Sequence, residues 1–189
     1  MQTPSPSGVL SDLPAWQLRA FPLAIVLLRI TFGLLFLANG VAKLPGLEEV
    51  DYIPFPGFLI SYDGAENSLR SDTSNHPIPL YRDFVQDVVL EHYAPFGVGL
   101  VITEIGIGVL LILGVFSSAA ALVGFLSLFH IWFANWGRYA DRSLWAWEGP
   151  IGWLPLLALC FLAAGRFWGL DAHVAALLPP RLRRWPLVR

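Results

Sequence analysis

Four stretches of this 189-residue chain are long and apolar enough to cross about 30 Å of hydrocarbon as helices of about 18 to 25 residues. They run over roughly residues 21–43, 95–116, 118–136 and 151–168. Hydrophobic residues make up 56% of the chain, charged residues only 14%, and the mean hydropathy is +0.60. A soluble domain of this size needs far less apolar surface for one core, so the bilayer is the expected solvent. Each stretch has a stop or start signal: Leu44-Pro45-Gly46, the pair Ser117-Ser118, and Gly149-Pro150. The expected fold is an all-α integral membrane protein, a four-transmembrane-helix bundle forming one domain over residues 1–189.

The charges are segregated. From Arg166 onward five arginines face one acid, a net of +4, whereas residues 45–91 hold nine acids and two arginines, a net of −7. Arginine-rich flanks stay on the cytoplasmic side. Both termini are therefore expected inside, with 169–189 as a basic cytoplasmic tail and 45–92 as a periplasmic or extracellular loop. No basic region precedes a short apolar core at the start, so a cleaved signal peptide is not expected. The basic tail is explained by topology and anionic lipid, with no nucleic acid implied.

The long loop should carry structure. Its first half is rich in turn residues and reads as irregular or partly extended. In its second half Tyr81, Phe84 and Val88 have helical spacing, so residues 80–91 are expected to form a short amphipathic helix on the outer membrane face. The Trp-rich segment from Trp136 to Trp147 reads as an interfacial aromatic belt. Cys160, the single cysteine, has no partner for an internal disulfide and is expected to pack.

Within the apolar stretches a few polar residues stand out. The segment "LLRITFGLLFLANGVAKLPG" carries Arg29, Asn39 and Lys43; Glu104 lies in the second stretch and His130 in the third. At about 1.5 Å per residue, Arg29 lies about 12 Å, and Glu104 and His130 about 18 Å, from the inner ends of their helices. These depths predict a midplane cluster of Arg29, Glu104 and His130. Arg29 shares a helical stripe with Gly33, Phe36, Gly40 and Lys43, and Glu104 shares one with Gly97, Gly108 and Leu111, so the two helix backbones should approach closely. A charge at this depth costs several kcal/mol unless paired or wet, which makes Glu104 the expected partner of Arg29. Two readings of the pair stand: a clamp that fixes helix register, or the polar lining of a cavity for a quinone head group or a proton path. Lys43 is expected to snorkel to the head groups and Asn39 to bond across to a neighbouring helix. His130 has no second histidine at matching depth, so haem is not expected, and no Cys/His spacing suggests a metal. Trp132, with Trp136 and Asn135, forms an aromatic and polar set near the outer end of the third stretch.

The runs "LLRITFGLLFLANGVAKL", "LYRDFVQDVV", "TEIGIGVLLILGVFSSAAALVGFLSLFHIWFANW" and "WEGPIGWLPLLALCFLAAGRFWGLDAHV" together resemble the DoxX/DoxD family of small four-helix membrane proteins, over about residues 24–175. The matching positions are Arg29, Gly33, Asn39, Gly40, Lys43, Glu104, Gly106, Gly165, Arg166 and Asp171. DoxD-type members are similar to the small membrane subunit of thiosulfate:quinone oxidoreductase. What the resemblance implies is a multi-pass protein of a bacterial or archaeal plasma membrane, linked to quinone redox chemistry and working with a partner membrane or periplasmic redox subunit. The candidate quinone contacts are Arg29, Asn39, Glu104, His130 and Trp132, with Arg29, Glu104 and His130 as the candidates for chemistry. The alternative is a non-catalytic accessory subunit of a larger membrane complex.

Overall fold

A computed structural model of the chain describes residues 14–45, 60–140, 145–179 and 181. All regular structure among them is helical. Three helices are long and apolar enough to cross a membrane: α1 (Ala15–Ala42), α4 (Tyr93–Leu113) and α5 (Ser117–Ala134). Between α1 and α4 lie α2 (Tyr62–Ser74) and α3 (Pro79–Phe84), the latter running into a π-turn, Val85–Val89. After α5 come the short α6 (Trp136–Ala140), the apolar α7 (Glu148–Phe161), a 3₁₀ turn (Ala164–Arg166) and α8 (Asp171–Leu177). Side chains such as Leu27, Leu34, Val98, Ile102 and Leu126 are exposed on the three long helices. Apolar faces of this extent suit lipid, and the protein is a multi-pass membrane protein.

The α1–α4 pair is antiparallel and very close. A Cβ added at Gly33 would meet the Ile112 backbone nitrogen at 3.0 Å, one at Gly108 the Leu37 nitrogen at 2.6 Å, and one at Gly40 the Ile105 nitrogen at 2.9 Å. These three contacts place the glycine stripes against the partner backbone. They also fix a register: Gly33 faces Ile112, Leu37 faces Gly108, and Gly40 faces Ile105. One core then joins all four apolar helices, with Phe32 and Phe36 of α1, Ile107 and Leu111 of α4, Ala120 and Ala121 of α5, and Leu156 and Leu159 of α7.

Three boundaries depart from the sequence reading. Helix α4 ends before Ser117-Ser118 because Gly114 adopts a left-handed conformation at φ 65°, with Val115 N–H bonding Leu110 O at 3.0 Å and Gly114 N–H bonding Leu111 O at 3.2 Å. The expected span over 151–168 ends at Phe161, because Ala163 turns left-handed at φ 46° and the chain tightens into the 3₁₀ turn. The first half of the loop, expected to be irregular, contains α2, started by Ser61, whose Oγ accepts from Gly64 N–H at 3.1 Å. Residues 46–59 of that loop, and residues 180 and 182–189 of the basic tail, lie outside the described residues.

Candidate functional site

The expected midplane cluster does not form; its members divide between the two ends of the α1–α4 contact. Carrying the α1–α4 register onward brings Arg29 level with Phe116 and Glu104 level with Val41, about 18 Å apart along the axis. Side chains also lean toward the N-terminus of their own helix. In an antiparallel pair, Arg29 therefore leans away from Glu104, and Glu104 leans toward the end of α1 that carries Lys43.

At the tail end, Arg29 is 1% exposed and its guanidinium meets backbone. It donates to Ala164 O at 3.0 Å, Phe167 O at 3.2 Å and Trp168 O at 3.5 Å. Room for it comes from Gly114 and Gly169, where an added Cβ would crowd Nη1. Beside it, Asp171 accepts from Ser117 Oγ at 2.5 Å and from Ser117 N–H at 3.3 Å, and Ser117 Oγ accepts from Gly165 N–H at 2.7 Å. Asp171 is also the carboxylate close enough to act on the Arg29 charge. The backbone around this knot is bent, with Phe116, Ala163 and Trp168 all at positive φ. That bending turns the carbonyls of Ala164, Phe167 and Trp168 onto the guanidinium.

At the cap end, Lys43 and Glu104 form a buried ion pair at 2.8 Å, with side chains 4% and 10% exposed. Lys43 does not snorkel. Its ammonium folds back over the last turn of α1 and donates to Asn39 O at 3.0 Å, a favourable place for a cation because helix carbonyls there lack partners. Asn39 does not cross to another helix either: its Nδ2 donates to Leu35 O at 2.9 Å on its own helix. Gly40 lets the pair close, since a Cβ there would lie 3.1 Å from the Glu104 Cβ.

His130 belongs to a third group, also at the cap end. Its Nε2 is 2.9 Å from the phenol oxygen of Tyr81, and the residue is exposed on the flank of α5. Tyr81 packs edge-on against Phe133 and tilted on His76. His76 is 2% exposed; its Nδ1 accepts from Ile78 N–H at 3.3 Å, so Nε2 carries the hydrogen that is donated to Phe133 O at 3.1 Å. Burial pushes the Tyr81 phenol up to about 12. The Tyr139 phenol is likewise raised, by burial first and by Glu148 next. Arg138 on α6 bonds Asp72 on α2 at 3.0 Å, a second tie between the loop helices and α5–α6. Trp132 sits in an aromatic stack with Phe129, Trp136 and Trp153, and donates its indole N–H to Ala146 O at 3.0 Å.

Sequence reasoning missed His76 and Tyr81 as partners of α5: His76 precedes the helical pattern, and Tyr81, grouped by spacing with Phe84 and Val88, turns to His130 and Phe133 while those two are exposed. Ser117 had a readable signal, a hydroxyl beside a helix start, but its acceptor lies 54 residues away. Asp171 entered only through the family resemblance. Among the described residues no group of three or more His, Cys, Asp or Glu side chains could hold a metal ion.

Comparison with known proteins gives no match among curated proteins and none among solved structures. A family model does match, that of DoxX, over residues 24–136, which takes in α1 from Ala24 onward, α4, α5 and both members of the Lys43–Glu104 pair. The chain belongs to the DoxX family.

Proposed function

We propose that the protein is the membrane-spanning subunit of a quinone-linked redox complex, and that a quinone head group meets it at His130 and Tyr81. One observation carries this reading: a histidine exposed on the flank of a membrane-crossing helix is bonded at 2.9 Å to a phenol. Polar groups on such a flank are costly and are kept where they act on something. Quinone reduction takes up two protons with two electrons, and a Tyr–His pair is a proton donor and acceptor within hydrogen-bond reach of each other. The carbonyl of a ring arriving from lipid would accept from this pair, with the Trp132 stack as the neighbouring aromatic wall. Arg29, Asn39 and Glu104 then hold helices in place instead of touching the ring. The electron donor, with thiosulfate the substrate suggested by the family resemblance, would be served by a partner subunit.

The membrane arrangement that goes with this reading is a four-helix bundle with both termini cytoplasmic, in a bacterial or archaeal plasma membrane. Helix α7 is about 21 Å long, short for a span, but Trp145 and Trp147 before it and Trp168 after it are exposed and extend its reach to both interfaces. The −7 loop and +4 tail support the orientation.

A second reading has its own support. Lys43 and Glu104 bond each other and the terminal nitrogens of Arg29 bond backbone carbonyls, which suits a non-catalytic accessory subunit of a larger complex. The test is quinone retention in lipid nanodiscs, measured by extraction and mass spectrometry for the wild type, His130→Leu and Tyr81→Phe. Retention above lipid partitioning, lost in both variants with helicity intact, is the expected result. Equal retention in all three, at the partitioning level, removes the quinone reading and leaves the accessory one.

A further inference from the structure

The rod formed by α3 and its π-turn, Pro79 to Val89, has three distinct sides. One is buried against the protein: Val85 is 2% exposed and packs with Leu90, Tyr93 and Tyr81. Another is an apolar column at four-residue spacing, Leu80, Phe84 and Val88, exposed by 83%, 51% and 43%. Next to it runs a column of exposed acids, Asp83, Asp87 and Glu91.

The depth of the rod is fixed by two bonds to α5. Tyr81 meets His130 at 2.9 Å, and His76, just before the rod, meets Phe133 O at 3.1 Å. His130 lies one turn, about 6 Å, inside the end of α5 at Ala134. The rod is thus level with the last turn of a membrane-crossing helix and does not stand above it. Only Leu90, Glu91 and His92 separate it from the start of α4, a second such helix.

We propose that this rod is embedded at the boundary of the leaflet at the cap end, with Leu80, Phe84 and Val88 among acyl chains and Asp83, Asp87 and Glu91 turned to water. Lipid is the occupant because the apolar column sits at span depth and continues the lipid-facing surface of α5, where Leu126 and Ile131 are exposed. An acid column alongside is what a helix lying in the interface plane presents to water. Trp136, Trp145 and Trp147, exposed at the same end of the molecule, mark the interface level. The acids disfavour anionic lipid, so neutral head groups suffice.

The test uses the full chain with Cys160→Ser, in phosphatidylcholine nanodiscs, carrying one nitroxide at a time on Phe84→Cys, Val88→Cys or Asp87→Cys. Collision with oxygen, which concentrates in lipid, is compared with collision with a water-soluble nickel chelate. The expected result is an oxygen-to-nickel ratio several-fold higher at 84 and 88 than at 87. Equal ratios at all three, with strong nickel collision, put the rod in water and overturn the proposal. Shielding of 84 and 88 from both reagents shows that protein covers the column and overturns it as well. Far-UV circular dichroism of each labelled protein confirms that the label leaves the helices intact, and two sites in the apolar column keep the comparison decisive if one label perturbs the fold.

Discussion

The two ends of the α1–α4 contact bury a positive charge in different ways. At the tail end Arg29 is surrounded by backbone carbonyls from a bent segment, and its nearest carboxylate, Asp171, is bonded to Ser117 instead. At the cap end Lys43 is held by one side chain, Glu104, and one carbonyl. The planar five-donor fork of arginine suits several fixed acceptors, whereas the lysine ammonium is a point charge satisfied by a single opposite charge. The difference teaches where each cation gets its specificity: Arg29 from the shape of the chain after α7, Lys43 from the identity of one residue.

The comparison breaks most visibly at Glu104. Glu104→Leu leaves the Lys43 ammonium buried and unpaired, and should lower stability by about 3–5 kcal/mol, measured by unfolding in mixed micelles. Adding Lys43→Met should recover most of that loss, because a buried pair replaced by apolar groups of similar volume is close to neutral. Arg29→Met should cost about 2–3 kcal/mol by removing the donors to the Ala164, Phe167 and Trp168 carbonyls, and here no single side-chain change restores the loss, because the acceptors are backbone.

Smaller effects sharpen the contrast. Gly114→Ala forces an alanine to φ 65° and places its Cβ 2.9 Å from the Arg29 Cζ. About 1–2 kcal/mol of backbone strain is expected, plus crowding against Arg29 that an Arg29→Met background relieves and crowding against the Gly169 Cα at 2.8 Å that it does not. Tyr81→Phe removes one hydrogen bond, worth about 0.5–1.5 kcal/mol. Its phenol titrates at about 12 in the folded protein against 10.0 otherwise, so its contribution is complete below pH 10 and is lost as pH rises toward 12. Phenolate absorbance should show one fewer late-ionising tyrosine in the variant than in the wild type.

The apolar stretches, the close α1–α4 contact and the burial of Arg29 and Glu104 were legible in the sequence, since hydropathy and glycine stripes depend on local spacing. The pairing was not. Depth counting takes Phe21 and Phe116 as level, whereas the register sets Arg29 level with Phe116, an offset of about 12 Å; the lean of side chains toward helix N-termini widens the gap and brings Lys43 to Glu104. Helix α2 was hidden by Gly64, Asn67 and several serines, residues that favour turns unless a cap such as Ser61 sets a helix going. The break at Ala163 had no local signal: an alanine turns left-handed there because the knot around Arg29 and Asp171 needs the carbonyls that the bend supplies.

The most direct test is a pair of double-mutant cycles, read by unfolding free energy in one lipid-like environment. One joins Lys43→Met with Glu104→Leu, the other Arg29→Met with Glu104→Leu. Contacting residues couple by about 0.5–3 kcal/mol, and distant ones add within about 0.3–0.5 kcal/mol. Strong coupling in the first cycle and additivity in the second is the predicted result. Strong coupling between Arg29 and Glu104 would return the two charges to one midplane cluster and contradict the account.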